Sequence, residues 1–528
     1  MWKKFLVFCS FLIPFLGNAQ FTLKVFPSAT LNSAPAIHSG AFTVYNGKWV
    51  FIGGRKNGLH GFLPPFAFPG NGVNNMVWVV DPATNQSWSS AVDSLPVNIK
   101  EAVASSNMEF YRTDSILYMV GGYGWKDSLQ DFVTFPVLTS VHLPGLIDAV
   151  INNKKIIPFF KSTVDQRLAV CGGHLQKLDS VYYLVFGHRF DGRYDKSSTT
   201  GFFVQKYSNE IRKFTITENA GNIQIGNYSS IKDTANFHRR DFNLIPQIYA
   251  SGVKALTAFS GVFQYTANLP YMTCIDITKS GYTHQSGFNQ NLSQYHSAVA
   301  ALYDTTAKDQ HNIFFGGISQ YYIDSVSGNT VYDTLVPFVN TVSKVVRSAA
   351  NTYQEFNMGI RLPGLIGTNA YFLPDPAINL INEEVIILNG LADSTRIGYI
   401  IGGIETPDKN IGQTDPSLSF ARLQPLEVYY FNGSPTHMNG ITNDVLSFRA
   451  YQKAVGSDIV VEFELPKAMQ VKVSAFTVDG KLLKELMDGS KLQGPQRLSF
   501  PSASMSPGVY FIGMEAGSNI KFAKLVIR

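Results

Sequence analysis

Short apolar runs that end in glycine recur along most of the chain. Each copy has a turn, several β-prone residues and then a Gly-Gly pair or a close variant, as where Asn46 and Gly47 precede residues 49–52. Such runs between turn residues predict β-strands. Glycine suits places where backbones approach closely, because it has no Cβ to obstruct them. The glycines that end the six copies are Gly54, Gly122, Gly187, Gly261, Gly317 and Gly403.

Another apolar strand precedes each copy and further strands follow it, which predicts six four-stranded units. A single unit cannot bury both of its faces, so six are expected to stack against one another and close into a ring. The last unit ends at residues 427–431 without a fourth strand. Residues 21–26 are predicted to supply that strand, which would remove two exposed sheet edges.

The pattern changes after residues 432–436, where Asn-Gly-Ser-Pro-Thr has the composition of a linker. Regular alternation of apolar and polar residues with short turns follows, and it predicts an antiparallel β-sandwich over residues 446–528. The expected organisation is a signal peptide at 1–19, a repeat domain at 20–431, a linker at 432–445 and a C-terminal domain at 446–528.

The glycine-ended repeat resembles the Kelch-type β-propeller over about residues 21–431. The units are longer than the usual repeat, and its later Trp and Tyr are only partly present; Trp78 and Trp88 remain in the first unit. The resemblance implies an all-β fold, namely a six-bladed Kelch-like β-propeller followed by a small Ig-like antiparallel β-sandwich.

The C-terminal segment resembles the type A sorting domain of the type IX secretion system of Gram-negative bacteria. The usual Tyr-Pro-Asn-Pro opening is missing, and Leu-Ser-Phe-Arg stands there at 446–449. The resemblance implies that the outer-membrane secretion machinery recognises this domain and that the protein is secreted or held at the cell surface after passage through the periplasm. An ordinary Ig-like adhesive module is the alternative. The matching residues are 463–466, 471–473, 479–481, 506–511 and 521–528.

The first residues have the order of a secretory signal peptide. Lys3 and Lys4 precede the apolar stretch 5–15, and Gly17 to Ala19 supplies small residues for cleavage after Ala19. Lipid attachment is not expected, because Gln20 rather than cysteine follows that point. No other segment is long and apolar enough to span a bilayer, so no transmembrane segment is expected in the mature chain. A buried N-terminal strand is the alternative.

Composition removes several other classes of function. The 528 residues carry a net charge of +5 without a run of lysine or arginine, so no nucleic-acid partner is expected. Cys171 and Cys274 have neither CxxC nor zinc-type spacing. They are expected to be buried thiols, with one disulfide as the alternative, and neither a cofactor nor a metal is expected.

The loops between the second and third strands of each unit should gather on one face, together with the starts of the innermost strands. Aromatic residues fill these loops, and Arg, His and Asp lie beside them, which suits a sugar or another hydroxylated ligand. The aromatic residues are Phe62, Phe66, Phe68, Tyr123, Trp125, Tyr194, Tyr321 and Tyr322. The predicted ligand-binding residues are Arg55, His188, Arg189, Asp191, His238, Arg239, Arg240, Asp241 and Glu405.

Structural roles remain open for several of these side chains. His38 and His296 can serve as structural histidines bonded to neighbouring backbone. The run from Arg239 to Asp241 can form an ion-pair network between units, and the aromatic loops can pack on themselves.

No catalytic motif is found in the sequence, so binding of a glycan or protein ligand without catalysis is the leading hypothesis. A sugar-active enzyme of the Kelch type, an epimerase or mutarotase, is the alternative, with Asp191, Asp241 or Glu405 as acid or base. A galactose-oxidase-like copper site is not expected, because no Cys, Tyr and His set is suitably placed. A purely structural surface protein is the third possibility. A deep polar pocket would favour the enzyme, an aromatic shelf the binder and a plugged channel the structural role.

Overall fold

The computed structural model describes six stretches of the chain: 21–63, 66–195, 203–219, 221–324, 330–433 and 448–527. Within the last stretch, residues 453, 455, 466–467, 478–480, 493 and 517–518 are not described. The expected signal peptide, most of the expected linker, and Pro466, Asp479 and Gly480 of the sorting-domain resemblance therefore lie outside the described residues.

The described chain is all-β, with two short α-helices, Val97–Val103 and Leu143–Ile151. Short 3-10 turns lie at Gly70–Gly72, Val92–Ser94, Ile157–Phe159, Gln166–Leu168, Pro416–Leu418 and Ser502–Ser504.

Three antiparallel sheets, here sheets 1 to 3, each contain four strands that pair in chain order. Sheet 1 has Ala41–Tyr45, Lys48–Ile52, Met76–Asp81 and Gln86–Ala91. Sheet 2 has Glu109–Thr113, Ile116–Val120, Val137–His142 and Phe160–Val164. Sheet 3 has His174–Leu178, Val181–Val185, Glu210–Asn219 and Asn222–Lys232.

Sheets 4 to 6 repeat this order with two variations. Sheet 4 has Asn243–Ile248, Lys254–Phe259, Cys274–Thr278 and Gly281–Gln285. Sheet 5 has Ala298–Tyr303, Gln310–Phe315, Thr341–Arg347 and Tyr353–Arg361, and its first strand also pairs in parallel with Val385–Ile387, which in turn pairs with Leu380–Ile381. Sheet 6 has Leu365–Pro374, Thr395–Thr406, Leu426–Asn432 and Phe21–Pro27, with Phe420–Ala421 beside its second strand.

The fourth strand of sheet 6 is the N-terminal strand, as predicted. Phe21–Pro27 pairs antiparallel with Leu426–Asn432 over seven residue pairs, from Phe21 with Asn432 to Pro27 with Leu426. The first and last parts of this domain are therefore joined by main-chain hydrogen bonds.

Three of the sheets carry a two-stranded hairpin between their second and third strands. Such an extension lengthens the loop without disturbing the ladder of the parent sheet. The hairpins are Tyr123–Lys126 with Asp131–Thr134 in sheet 2, His188–Gly192 with Phe203–Tyr207 in sheet 3, and Tyr321–Ile323 with Thr330–Tyr332 in sheet 5.

Each sheet buries one face against the preceding sheet and the other against the following one. In the second strand of sheet 2, Leu117 and Met119 pack in one core with sheet 1, and Tyr118 and Val120 pack in another core with sheet 3. Side chains alternate between the two faces of a strand, so one strand serves two cores. Sheets 3 and 4, 4 and 5, and 5 and 6 share cores in the same way.

Sheet 6 also packs against sheet 1. Trp49 and Phe51 of sheet 1 share a core with Tyr399 and Ile401 of sheet 6. The rings of Trp49 and Tyr399 are 5.1 Å apart in an edge-on arrangement. Burial of one apolar side chain of this size stabilises the folded protein by roughly 1.5–3 kcal/mol.

The C-terminal residues form two further antiparallel sheets that share one hydrophobic core. One sheet has Phe448–Gln452, Ile459–Leu465 and Gly494–Phe500. The other has Leu482–Lys491, Met469–Phe476, Gly508–Ala516 and Asn519–Ile527 in that spatial order.

Helices of the described residues are too short to cross a membrane.

Candidate functional site

A cavity of about 560 Å³ lies between the first strands of all six sheets. Ligand pockets in proteins commonly have volumes of a few hundred to about 1,000 Å³, so this cavity has the size of a small-molecule site. Each sheet contributes several lining residues, among them Phe42, Glu109, His174, Leu244, Ala298 and Tyr371.

One residue before or within each first strand has a positive φ, and we call these six the junction residues. Their backbone links neighbouring sheets: the N–H of Asn107 donates to the carbonyl of Ser39 at 2.8 Å, and the N–H of Gly172 donates to that of Asn107 at 3.1 Å. The junction residues, five of which have polar side chains, therefore lie next to one another in neighbouring sheets. The junction residues are Ser39, Asn107, Gly172, Asp241, His296 and Asn369.

Two junction residues of neighbouring sheets, Asp241 and His296, form a buried charged cluster with Arg240. Asp241 Oδ1 lies 3.1 Å from Nε2 of His296, and Asp241 Oδ2 pairs with the guanidinium of Arg240. Burial alone would raise the pKa of Asp241, but the charge of Arg240 and the imidazole of His296 outweigh it and hold this pKa well below its usual range. Asp241 is thus a fixed negative charge inside the protein.

Two more predicted residues, Arg55 and His188, are also buried, and His188 lies close enough to feel the charges of Arg240 and Asp241. Arg55 donates to Oδ1 of Asn57 at 3.0 Å and to the carbonyl of Pro69 at 2.7 Å, and burial lowers its pKa to about 10. His188 Nδ1 lies 2.8 Å from Nε2 of Gln205. Burial, with a smaller effect of the Arg240 charge, lowers the pKa of His188 to about 3. His188 is therefore neutral at physiological pH.

Glu109 is a buried carboxyl group in the cavity wall. It is the first residue of its strand and only 4% exposed, and its Oε1 accepts a hydrogen bond from the N–H of Gly173 at 2.9 Å. Burial raises the pKa of Glu109 well above the ordinary value, and the charge of Asp241 adds to this effect. A neutral carboxyl can donate a hydrogen bond as well as accept one.

Residues 375–387, here the cap segment, lie at the opposite end of the cavity, where the first strands end. This segment lies between the first and second strands of sheet 6 in the chain, but its two short strands pair with sheet 5. Its side chains contact sheets 2, 3 and 4. Glu383 pairs with Arg112 of sheet 2, Glu384 Oε1 accepts from Gln176 of sheet 3 at 2.8 Å, and Asn382 Oδ1 accepts from Lys254 of sheet 4 at 2.6 Å. The cap segment therefore restricts access to the cavity from that end.

The aromatic loops pack mainly against one another. The ring of His60 lies 4.3 Å from that of Phe68 and 5.2 Å from that of Tyr194, and these two rings are 5.8 Å apart. The ring of Tyr123 lies 4.9 Å from that of Phe68. Burial lowers the pKa of His60 to about 4. Phe66 differs from the others, because 63% of it is exposed. Contacts between these loops leave few aromatic faces free for a ligand.

Arg239 and His238 stand apart from the cavity. The guanidinium of Arg239 donates to the carbonyls of Asn236, Ser260 and Thr273, and only 1% of this residue is exposed. These bonds hold the loops of sheet 4 together. The ring of His238 lies between two tyrosine rings, Tyr207 at 3.7 Å and Tyr265 at 3.9 Å.

The remaining predicted residues form local ion pairs away from the cavity lining. Arg189 Nε donates to Asp191 Oδ2 at 2.6 Å, and Asp191 Oδ1 also accepts from the N–H of Thr134 at 3.0 Å. This contact joins the hairpins of sheets 2 and 3. Glu405 pairs with Arg422, which lies in the same sheet region.

His38 is bonded as a structural histidine, whereas His296 is not placed that way. His38 Nε2 lies 2.8 Å from the carbonyl of Asn57, and its Nδ1 lies 2.9 Å from Oγ of Ser39. Instead of a neighbouring carbonyl, His296 faces the Asp241 carboxylate, and it lines the cavity.

Sequence reasoning missed Glu109, His60 and the cap segment. Glu109 could have been noticed as an acidic residue that opens an innermost strand, directly before Phe110 and Tyr111. Neither its burial nor the contacts of the cap segment has a local sequence signal.

Cys171 and Cys274 are both buried free thiols, and burial raises the pKa of each. In the described part of the chain, no three His, Cys, Asp or Glu side chains are grouped so that they could hold a metal ion.

Comparison with known proteins yields structural neighbours but no family. No protein-family model and no curated protein matches the chain. A solved structure of YjhT aligns with a TM-score of 0.39 and 10% identity, over 71% of this chain and 93% of that one. A fungal alcohol oxidase of the AA5 family, in complex with copper, aligns with a TM-score of 0.36 and 8% identity, over 97% of this chain and 100% of that one. These TM-scores are low, so the proposals below rest on contacts within this chain.

Proposed function

We propose that this protein is an exported ligand-binding protein in which a six-bladed Kelch-like β-propeller binds a small ligand in its central cavity. Sheets 1 to 6 would be the blades. The sharing of a core by every consecutive pair, including sheets 6 and 1, supports this arrangement. The hydroxyl of Tyr371 in sheet 6 also donates to the carbonyl of Gly40 beside sheet 1 at 2.6 Å.

The cavity is the observation that carries the binding function. It combines aromatic walls with a few polar groups, and this mixture is typical of small-molecule sites. The ring centre of Phe42 lies 4.0 Å from that of Tyr371 and 5.0 Å from that of Phe110, so an aromatic surface lines one side of the cavity. Polar side chains of the junction residues, with Glu109, lie near the start of the same strands. A hydroxylated ligand such as a sugar can stack on the aromatic surface and form hydrogen bonds with the polar side chains.

Ligand screening by saturation-transfer NMR on the mature chain would test this proposal. The panel would contain monosaccharides, short glycans and peptides, and at least one should bind. Val299→Trp should abolish that binding, because Val299 lines the cavity and a larger side chain would fill it. Val204→Trp is the matched control, since Val204 is 66% exposed and not among the lining residues. Equal loss in both variants, with both folded, would contradict binding in the cavity.

A sugar-active enzyme, an epimerase or mutarotase, is the second candidate. Glu109 favours it, because a neutral carboxyl in a cavity can act as a general acid. His296 lines the same cavity and could accept a proton through its imidazole. The ligand found in the screen would be followed by NMR for anomeric or epimeric exchange. Catalysed exchange that Glu109→Gln removes would favour the enzyme, and unchanged exchange rates would favour the binding protein.

Export would depend on both ends of the chain. Residues 1–19 would direct the protein to the periplasm, and residues 446–528 would direct it across the outer membrane through a type IX secretion system. The pairing of Asn519–Ile527 with Gly508–Ala516 over nine residue pairs suggests that the last strand is integral to the C-terminal domain. Removal of residues 519–528 should therefore retain the protein inside a host that has this system. Continued appearance of the truncated protein in the medium or on the cell surface would contradict this role.

A further inference from the structure

The charged groups that line the cavity suggest what kind of ligand it can accept. Three lining residues could carry a positive charge, and four could carry a negative one. The former are Arg112, His174 and His296; the latter are Glu109, Asp375, Glu383 and Glu384. Lysine is not found among the described lining residues.

Arg112 is already paired within the protein. One of its guanidinium nitrogens pairs with Glu383 of the cap segment, and the other donates to the carbonyl of Asp114 at 2.6 Å. Glu383 therefore already compensates the positive charge that a ligand carboxylate would use.

The two histidines are also engaged. His174 Nε2 lies 2.8 Å from the carbonyl of Phe242, and burial lowers the pKa of His174 to about 4, so its imidazole is neutral near pH 7. His296 Nε2 faces Asp241, whose negative charge is fixed. An anionic group that approached His296 would meet this carboxylate as well.

A ligand that carries a carboxylate or phosphate would therefore be desolvated in the cavity without a free counter-charge. Burial of an unpaired charge costs several kcal/mol, whereas a hydroxyl needs only a hydrogen-bond partner. Such partners are present. Glu109 offers a carboxyl, and the buried Oγ of Ser297 has no hydrogen-bond partner among the described residues. Buried polar atoms are normally hydrogen-bonded, so Ser297 can receive a hydroxyl of the ligand or a water molecule.

We propose that the cavity accepts uncharged hydroxylated ligands, with neutral sugars as the ligand class, and rejects their carboxylated and phosphorylated counterparts. Glu109 then acts as a neutral hydrogen-bonding residue in the cavity wall. This inference rests on the proposed binding function and narrows it to one class of ligand.

Matched pairs of sugars test the inference on the full mature chain at pH 7. The pairs would be glucose with glucuronate, galactose with galacturonate, and N-acetylglucosamine with its 6-phosphate, measured by isothermal titration calorimetry. We expect a neutral member to bind at least about tenfold more tightly than its acidic partner, because the acid lacks a free counter-charge. Tenfold corresponds to about 1.4 kcal/mol. Tighter binding of the acidic member would overturn this inference and leave the proposed function intact. No binding by any of these six sugars would overturn the inference, and no binding by the glycans and peptides of the wider panel as well would overturn the proposed function.

Glu109→Gln separates the two possible reasons for such a preference. The amide has the shape of a neutral carboxyl, so the variant should keep the preference for the neutral sugar. Similar affinity for both members in this variant would show that a charge on Glu109 had excluded the acid, and would overturn its assignment as neutral. Infrared difference spectra between wild type and variant give a readout without ligand. A protonated carboxyl band lost in the variant supports the inference, and a lost carboxylate band overturns it.

Discussion

Asp241 Oδ1 lies 3.1 Å from Nε2 of His296, so sheets 4 and 5 meet through a carboxylate and an imidazole at adjacent junction residues. The second oxygen of Asp241 pairs with Arg240. Only 7% of the Asp241 side chain and 16% of the Arg240 side chain are exposed. A buried ion pair contributes little net stability compared with apolar residues, but loss of one member leaves the other charge uncompensated.

Substitution of Asp241 should therefore be costly. Asp241→Asn removes the counter-charge of Arg240 and the partner of His296, and should lower the free energy of unfolding by about 3–5 kcal/mol. Asp191→Asn is the matched control. Its ion pair with Arg189 is more exposed, and the loss should be about 1 kcal/mol. Urea unfolding of both variants would measure the difference, and equal losses would contradict a structural role for the Asp241 group.

Gly402 should be intolerant of any side chain if sheets 6 and 1 are packed as described. A Cβ built at Gly402 would lie 2.1 Å from the carbonyl oxygen of Ile37, and its φ is +63°. Gly402→Ala should therefore destabilise the protein by several kcal/mol, through both the clash and the backbone strain.

Gly47→Ala is the control for backbone strain alone. Gly47 has a φ of +73°, but no atom of the described residues, apart from its chain neighbours, lies within 4 Å of the position that a Cβ would take there. This variant should lose only about 1 kcal/mol. Thermal unfolding of the two variants gives the comparison, and a Gly402→Ala variant as stable as Gly47→Ala would contradict the contact between sheets 6 and 1.

Arg239 is expected to stabilise the fold and not to bind the ligand. Arg239→Met keeps the length of the side chain but leaves the carbonyls of Ser260 and Thr273 without their donor. Each buried unsatisfied polar group costs about 1–3 kcal/mol, so this variant should be clearly less stable. Arg189→Met, at a half-exposed side chain, should change the stability by less than about 1 kcal/mol. If folded Arg239→Met lost ligand affinity at unchanged stability, a direct binding role would replace the structural one.

Glu384 should make the stability decrease as the pH rises. Burial, together with the charge of Glu383, raises the pKa of Glu384 from 4.5 to about 7 in the folded protein. Between these two values the unfolded chain has lost the proton that the folded protein still holds, so stability falls with rising pH and then levels off. The difference between the two pKa values of Glu384 corresponds to a decrease of about 3 kcal/mol at most in the free energy of unfolding.

Glu384→Gln should reduce this decline, because the amide remains neutral and can still accept from Gln176. Part of the decline should persist, because burial also raises the pKa of Glu355 to about 7 and that of Glu109 well above its ordinary value. Glu383→Gln is the neighbouring control and should leave most of the decline in place. Urea unfolding at a series of pH values from 4 to 8 would measure it. An unchanged decline in Glu384→Gln would contradict the assignment.

The strands were the most predictable part of the structure. Turn residues such as Asn46 and Asp114 adopt positive φ values, and the apolar runs that follow them form the second strands of sheets 1 and 2. These features depend on a few adjacent residues, so a local pattern is enough to predict them. The pairing of Phe21–Pro27 with Leu426–Asn432 was also predictable, because the last of the six units lacked a fourth strand and needed one from elsewhere in the chain.

None of the nine predicted ligand-binding residues lines the cavity, although Asp241 contacts His296, which does. Arg240 and Asp241 do form a buried group, but Arg239 and His238, their neighbours in sequence, point to other partners. Successive residues of an irregular segment face different directions, and composition does not report which partners each of them meets. The cap segment has no turn or repeat signal that relates it to Arg112, Gln176 or Lys254.

The sequence by itself determined where the strands and turns lie, because alternation of apolar residues and placement of glycine act over a few residues. Only the tertiary structure decided that Glu109 lines a cavity, that Asp241 meets His296 and that Glu384 reaches Gln176. These partners lie tens to hundreds of residues apart in the chain. Their meeting depends on how six sheets pack side by side, and this packing is set by the buried faces of all the sheets together.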